Sequence, residues 1–186
     1  MSYRDRVNEA TSTWSAREGR VTAEPRSFAS AAEDHLGDVY TYLLYLVGDR
    51  TVAEDLTGET FERALRSWRR YDPRRGSAKT WLCQVARSTA LDHLRAESRR
   101  RKREERWARE TGASGESRFA EGLSPELEEG LCRLSAGERE VVALRIVLEL
   151  DGETAARMLG ISPTACSTRL SRALRKLADE MGEEDV

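Results

Sequence analysis

Apolar residues recur every three or four positions along most of this chain, which is the period of an amphipathic α-helix. The first such stretch ends near Gly48, a residue suited to a helix carboxyl terminus. Its predicted buried face consists of Leu36, Val39, Tyr40, Leu43 and Val47. Thr51, with Glu54 three residues later, predicts a capping box that starts a second helix running to about Tyr71. Its apolar anchors are Leu56, Phe61, Leu65 and Trp68.

Turn residues separate the second helix from a third. The segment 72–77 combines Pro and Gly, and Ser77 is placed to cap the third helix. That helix runs toward Arg100, and its predicted buried side is Trp81, Leu82, Val85, Ala86 and Thr89. The helical period is then lost over 107–124, where Gly, Ser and Glu accumulate as in a linker between domains.

The carboxyl-terminal part predicts a helix-turn-helix. A second helical unit begins near Pro125 and continues after a cap at Ser135, where the apolar positions predicted to face the core are Val141, Leu144, Ile146 and Val147. Further on, a small residue (Ala156), a turn glycine (Gly160) and a Ser162-Pro163 start precede a long helix. The inward face of that helix is predicted to be Cys166, Leu170, Leu174 and Leu177.

The chain is therefore predicted to be all-α, with two small helical domains joined by a flexible linker and the helix-turn-helix in the second. The expected divisions are a flexible extension (1–28), a first domain (29–100), a linker (101–124), a second domain (125–182) and an acidic tail (183–186).

Basic and acidic residues are concentrated in separate segments of the chain, although the formal net charge is only −2. Residues 95–109 hold eight Lys/Arg against three acids, 160–178 hold four Lys/Arg and no acid, and 179–186 hold five acids. Basic blocks in a near-neutral chain favour surfaces that contact phosphate. The sequence contains no apolar run long enough for a membrane span and no apolar signal core, which predicts a cytoplasmic protein without membrane insertion.

Catalytic or metal chemistry is not predicted. The three cysteines (Cys83, Cys132 and Cys166) are far apart and lack CxxC spacing, so they are interpreted as structural thiols. The two histidines, His35 and His93, have no evident catalytic partner, and no glycine loop that would cradle a phosphate is present. We therefore expect no enzyme activity, cofactor, metal or small-molecule substrate.

Two helical faces are candidate nucleic-acid surfaces. On the last helix, short polar groups and arginines suit entry into a major groove: Thr164, Ser167, Thr168, Arg169 and Arg172. On the third helix, Gln84, Arg87, Ser88, Asp92 and Arg95 fall on one side. Near its start, Lys79 and Trp81 suit contact with unpaired bases. The alternative for each face is an ordinary solvated helix surface.

Residues 30–182 resemble the extracytoplasmic-function class of bacterial sigma factors. Three ordered segments carry the resemblance: Val52 to Phe61, Tyr71 to Arg95, and Leu134 to Arg172. They resemble, in turn, the polymerase-binding helix, the promoter-opening segment and the carboxyl-terminal domain of that family. The resemblance implies a protein that binds core RNA polymerase and directs promoter recognition, DNA melting and initiation.

The resemblance also implies residue roles. It places Asp55, Glu59, Thr60 and Phe61 at the polymerase. It places Lys79, Trp81, Gln84, Arg87, Ser88 and Arg95 at the minus-ten element, and Thr164, Ser167, Thr168, Arg169 and Arg172 at the minus-thirty-five element. An anti-sigma factor is an implied further partner, and the linker is expected to thread the polymerase cleft.

The sequence departs from the family pattern at several positions. Gly58 stands where Gln is usual and Ser88 where Asn is common. In the helix-turn-helix, Ala155, Ala165, Cys166 and Ser167 replace the more usual Ile, Thr, Val and Lys. Loss of a lysine at Ser167 removes a potential phosphate contact. The rival interpretations are a free-standing helix-turn-helix regulator and a polymerase-bound accessory protein.

Overall fold

The chain folds into helices throughout the residues that the computed structural model describes, which are 27–107 and 123–181, with side chains described for 27–100 and 123–181. The first unit contains α1 (Phe28–Val47), α2 (Arg50–Ser67) and α3 (Ala78–Trp107). The second contains α4 (Pro125–Arg133), α5 (Ala136–Val142), α6 (Gly152–Leu159) and α7 (Pro163–Glu180). No strand occurs in these two ranges, as the all-α prediction requires. The predictions for the extension before 27, for 108–122 and for the acidic tail lie outside the described residues.

Helix α1 begins eight residues before the start of its predicted apolar period. Ser27 caps it by accepting a hydrogen bond from the Ser30 amide at 3.2 Å. The intervening residues are rich in Ala, a strong helix former, and carry too few large apolar groups to show a period. The prediction that Leu36 faces the core was wrong, because its side chain is 53% exposed.

Helix α2 has a different cap from the one predicted. Asp49, not Thr51, accepts the hydrogen bond from the Val52 amide, at 2.9 Å. A carboxylate two residues before Thr51 satisfies one of the orphan amides of the first turn, so Thr51 becomes an exposed residue within that turn. The helix ends at Ser67, and a single 3-10 turn, Trp68–Arg70, completes the segment to Tyr71.

The turn before α3 forms as its residues predict. Asp72 accepts hydrogen bonds from the amides of Arg74 and Arg75, and Ser77 caps α3 through the Thr80 amide at 3.2 Å. Helix α3 continues to Trp107, seven residues beyond Arg100. The run 99–106 contains only Lys, Arg and Glu, which favour helix and include no Gly or Pro to end it.

The second unit has the predicted helix-turn-helix. Ser162 caps α7 by accepting from the Ala165 amide at 3.1 Å, and Pro163 occupies the first helical position. Gly160 ends α6 with φ of 68°, a left-handed conformation that glycine adopts without strain. Ala155 and Ala156 are fully or almost fully buried, which permits close helix approach. Leu174 was predicted to be buried but is 40% exposed, because Ala173 occupies the inward position.

A π-helical segment, Ala143–Val147, follows α5 and shifts the helical phase. Its extra residue per turn moves Ile146, which was predicted to face the core, to a position where it is 50% exposed. Leu144 and Leu148 remain buried. The phase shift is not visible in a pattern of apolar residues.

The two units pack directly against each other. Tyr42, Leu43, Leu44 and Leu46 of α1 are each at most 1% exposed, so this part of α1 is buried on all sides. One side packs on α2 and α3, and the other packs on α5 and the π segment. Buried side chains of both units consequently form one continuous hydrophobic cluster.

Candidate polymerase and nucleic-acid interfaces

Helix α2 presents an acidic face to solvent. This face is formed by four exposed carboxylates: Glu54, Asp55, Glu59 and Glu62. Three of them pair along the helix with Arg50, Arg63 and Arg66, and these exposed ion pairs offset part of the negative charge of the face. The predicted polymerase-contacting residues Asp55 and Glu59 therefore lie together on one accessible surface.

The other two predicted polymerase residues lie beneath this surface. Thr60 is fully buried, and its hydroxyl has no hydrogen-bond partner among the described residues. Phe61 is half-buried, with its ring 6.4 Å from that of Phe28 in an edge-on arrangement. In this structure Thr60 can support the acidic face by packing, whereas only part of the Phe61 ring is available for direct contact.

Aromatic rings cluster where the turn 68–77 meets α3. The Trp81 ring lies edge-on to Trp68 at 5.5 Å and tilted to Tyr71 at 5.6 Å. Tyr71 in turn stacks on Trp68 at 4.7 Å, and its hydroxyl donates to the Gly76 carbonyl. These contacts hold the half-buried Trp81 ring in one orientation.

The predicted minus-ten residues of α3 differ in how accessible they are to a ligand. Gln84, Ser88 and Arg95 are exposed. Lys79 is held by an ion pair, with its Nζ 3.1 Å from Asp38 Oδ1. Arg87 is engaged by the second unit, because its Nε donates to Glu140 Oε1 at 2.7 Å.

The ion pair at Lys79 is part of a small polar network on α1. His35 Nδ1 lies 3.0 Å from Asp38 Oδ2, and Lys79 lies on the other carboxylate oxygen. Burial by itself raises the pKa of Asp38, but hydrogen bonds from His35 and Lys79 outweigh it and leave that pKa below its ordinary value. Asp38 is thus an anionic anchor for Lys79, a role that sequence reasoning missed because the two residues are 41 positions apart.

A cavity of about 910 Å³ lies between the aromatic cluster and the second unit. The first unit lines it with basic and aromatic groups that include Arg70, Tyr71, Arg75 and Trp81. The second unit contributes Glu149, Leu150, Asp151, Thr154 and Arg157. Asp72 of the first unit also lines the cavity, so both units contribute acidic and basic side chains to it.

The exposed face of α7 carries most of the predicted duplex-contacting residues. Thr164, Ser167, Thr168 and Arg172 are all exposed. Arg169 is half-buried, and its guanidinium lies beside Gly137 of α5. A Cβ at Gly137 would be 3.4 Å from Arg169 Nη1. Ser171 and Arg175 share the exposed face with Thr164 and Thr168. Sequence reasoning overlooked them, although their helical spacing indicates them.

No metal-binding or membrane-spanning arrangement is found in the described part of the chain. Residues 27–100 and 123–181 contain no group of three His, Cys, Asp or Glu side chains that would hold a metal ion. Cys83 and Cys166 are buried, and burial raises the pKa of the Cys83 thiol to about 12. No helix within the described ranges is both long and apolar enough to cross a bilayer.

Known proteins are similar to this chain in sequence and in fold. Residues 31–100 match the family Sigma-70 region 2, and residues 124–177 match Sigma-70, region 4. The ECF RNA polymerase sigma factor BldN of Streptomyces coelicolor is 33% identical over 159 residues, which are 83% of this chain and 60% of BldN. ECF RNA polymerase sigma factor SigC of Mycobacterium tuberculosis is 33% identical over 80% of each chain.

A solved structure supports the fold. The sigma factor RpoE of Bartonella quintana, in complex with the anti-sigma factor NepR, superimposes with a TM-score of 0.72 at 21% identity, over 85% of this chain and 98% of RpoE. The two family matches follow each other along the chain, the first on the first helical unit and the second on the unit with the helix-turn-helix. The chain belongs to the sigma-70 family and is an RNA polymerase sigma factor of the ECF class.

Proposed function

We propose that the two units divide promoter recognition between them on core RNA polymerase. The acidic face of α2 binds the polymerase, the aromatic cluster and α3 capture unpaired minus-ten bases, and the exposed face of α7 reads the minus-thirty-five element. The observation that carries this assignment is the order of the three surfaces along the chain, each on the unit whose family match implies it.

The chemistry of each surface fits its proposed ligand. Exposed carboxylates on α2 complement a basic protein surface and are repelled by nucleic acid. Half-buried aromatic rings beside arginines suit stacking with single-stranded bases. Short polar side chains with Arg172 and Arg175 on a capped helix suit a major groove.

Promoter opening is favoured because the minus-ten surface binds unpaired bases and not paired ones. The minus-ten surface gains contacts only when bases leave the duplex, so stacking on the aromatic cluster offsets part of the cost of strand separation. The protein itself performs no bond-making step. Nucleotide transfer belongs to the polymerase, and the proposed site of action is in the cytoplasm with that enzyme.

An anti-sigma factor is a proposed regulatory partner. RpoE of Bartonella quintana and CnrH were each solved with a partner protein, the anti-sigma factor NepR and the cytosolic domain of CnrY respectively. By analogy, a protein that covers the acidic face of α2 would prevent polymerase binding here. The identity of such a protein does not follow from this chain.

Run-off transcription from a genomic DNA library tests the proposal. Core polymerase is compared with core plus the full chain, and start sites are read by sequencing. Discrete new starts with paired upstream elements are expected. Duplex binding without any new start would favour a free-standing regulator instead.

A charge-reversal pair locates the polymerase surface. Asp55→Arg places a cation within the acidic face and should weaken binding to core polymerase at least tenfold. Asp179→Arg makes the same charge change at an exposed position near the end of α7 and serves as the control. Equal binding by the two variants would remove the acidic face from the proposal.

A further inference from the structure

One acidic residue lies on the part of α3 that is proposed to receive DNA. Asp92 follows exposed Ser88 by four positions and precedes exposed Arg95 by three, so the three side chains are neighbours on the helix surface. A carboxylate at this place repels phosphate and attracts the guanidinium group that is assigned to DNA. The proposed minus-ten surface therefore contains a charge that opposes its function.

An arginine of the neighbouring helix lies on that carboxylate. Arg63 of α2 donates a hydrogen bond from Nη1 to Asp92 Oδ2 at 3.1 Å. Its other terminal nitrogen, Nη2, pairs with Glu59 one turn earlier on α2. Two carboxylates from two helices therefore hold one guanidinium group, and the Arg63 side chain is only 38% exposed.

The second oxygen of Asp92 is held less closely. Arg95 Nη1 lies 3.5 Å from Asp92 Oδ1, beyond the roughly 2.7–2.9 Å of a strong charge-assisted hydrogen bond. Arg95 is also the more exposed of the two arginines, at 66% against 38% for Arg63. Asp92 is thus bound mainly to Arg63, and the Arg95 guanidinium group stays accessible.

We propose that Arg63 is a positioning residue for promoter binding, which keeps the Asp92 carboxylate away from Arg95 and so leaves Arg95 available to the DNA backbone. Without Arg63, Asp92 keeps Arg95 as a partner three positions further along α3, and opposite charges at this spacing attract each other. The DNA part of this proposal rests on the proposed function, whereas the competition between Arg63 and Arg95 for Asp92 rests on the distances alone.

Arg63 is shared between two proposed surfaces, so its substitution by itself disturbs both of them. Glu59 belongs to the acidic face of α2, and Asp92 belongs to the DNA side of α3. Asp92→Asn separates the two effects, because it removes the charge that Arg63 compensates and leaves the pair with Glu59 unchanged. Restoration of DNA binding by this second substitution is the result that distinguishes positioning from a general structural role.

Unfolding of the full chain by urea tests the competition without DNA. A double-mutant cycle of Asp92→Asn and Arg95→Gln is measured at low ionic strength, where surface ion pairs are strongest. With Arg63 present, the two substitutions should be close to additive. In an Arg63→Gln background, the unfolding equilibrium constant should deviate from additivity by roughly twofold to fivefold, the strength of an exposed ion pair. The same small deviation in both backgrounds would overturn the proposal.

Binding of the holoenzyme to single-stranded DNA tests the role in promoter contact. The probe is a fluorescent oligonucleotide that carries the minus-ten element of a promoter mapped by run-off, and core polymerase is saturated with each variant. Arg63→Gln should weaken binding roughly twofold to fivefold and reduce the slope of log affinity against log salt concentration by about 0.7, the loss of one phosphate contact. Adding Asp92→Asn should restore both. A loss that Asp92→Asn does not restore would overturn the proposal, because Arg63 would then act on DNA directly or through the fold.

Arg133→Gln is the matched control. Arg133 of α4 is likewise shared between a carboxylate of its own helix, Glu129, and one of a neighbouring helix, Glu180 of α7. It lies in the second unit, so its substitution should leave oligonucleotide binding unchanged, and an equal loss would refute a specific role for Arg63. If the wild-type holoenzyme binds no minus-ten oligonucleotide, the proposed function fails together with the DNA part of this proposal. The unfolding data still decide the competition for Asp92.

Discussion

Substituting two helical glycines by alanine offers a quantitative check on how closely α4 packs on α7. Gly58 lies at the centre of the exposed face of α2, and a Cβ there would have no neighbour within 4 Å. Gly130 lies in α4, and a Cβ there would be 3.0 Å from Leu177 Cδ2 and 3.5 Å from Glu180 Cβ. The two substitutions are chemically identical, so their difference isolates packing.

The expected effects have opposite signs. Gly58→Ala should stabilise the chain by about 1 kcal/mol, the difference in helix propensity between Gly and Ala. For Gly130→Ala the same gain is opposed by overpacking of about 1–3 kcal/mol. Leu177 is 7% exposed and packed among Leu131, Leu134 and Ala173, so it has little room to move. A net loss of about 1 kcal/mol is expected.

Urea unfolding of the full chain, followed by far-ultraviolet circular dichroism, measures both changes. If the units unfold in separate transitions, each midpoint is compared with its own wild-type value. In a thermal scan, about 1 kcal/mol corresponds to roughly 4–8 °C for a unit of this size. Equal stabilisation by both substitutions would show that Leu177 moves aside readily and would refute the close packing of α4 on α7.

Other predictions concern the DNA surfaces and one acid-sensitive carboxylate. Trp81→Ala should reduce the permanganate reactivity of unpaired thymines at a mapped promoter about tenfold, because stacking with these bases is lost. The footprint at the upstream element should change by less than about twofold. Equal loss of reactivity and of the upstream footprint would contradict the assignment of Trp81 to the minus-ten element. Arg172→Ala should reduce the slope of log affinity against log salt concentration by about 1, because one phosphate contact is lost. Titration of a minus-thirty-five duplex at several salt concentrations measures this slope. A hydrogen bond from Lys176, followed by those from Ser135, lowers the pKa of Glu138 from 4.5 to about 2. The ionised Glu138 carboxylate therefore stabilises the folded chain above pH 4.5, and this contribution is lost as the pH falls toward 2. Between these two pH values, the free energy of unfolding of Glu138→Gln should fall by about 1 kcal/mol less than that of the wild type, a figure reduced for solvent screening.

Local interactions were the features that the sequence predicted best. The caps at Ser77, Ser135 and Ser162 form as expected, because a side-chain oxygen and the amide three residues later are positioned by the same turn. Gly160 at the helix-turn-helix turn is equally local, since its role depends on a single left-handed backbone conformation. Where two neighbouring residues could both cap a helix, the sequence did not predict which one does, since Asp49 rather than Thr51 caps α2.

Periodicity was less reliable wherever a helix has more than one neighbour. Leu36, Ile146 and Leu174 fit an apolar period yet are at least 40% exposed. The continuous apolar run from Tyr42 to Leu46 was assigned one buried face, although both faces are covered. Which apolar residues are buried depends on the partners of each helix, and a one-dimensional pattern does not contain those partners.

The sequence alone determined the helical class, most of the helix caps, the helix-turn-helix and the family, because these depend on neighbouring residues or on motifs in a fixed order. The tertiary structure alone decided what lies between the units. Tyr42, Arg87 and Glu140 are separated by up to 98 positions, and their meeting depends on how α1, α3 and α5 pack. Burial of that carboxylate against two donors is a property of the packed units, so no local pattern indicates it.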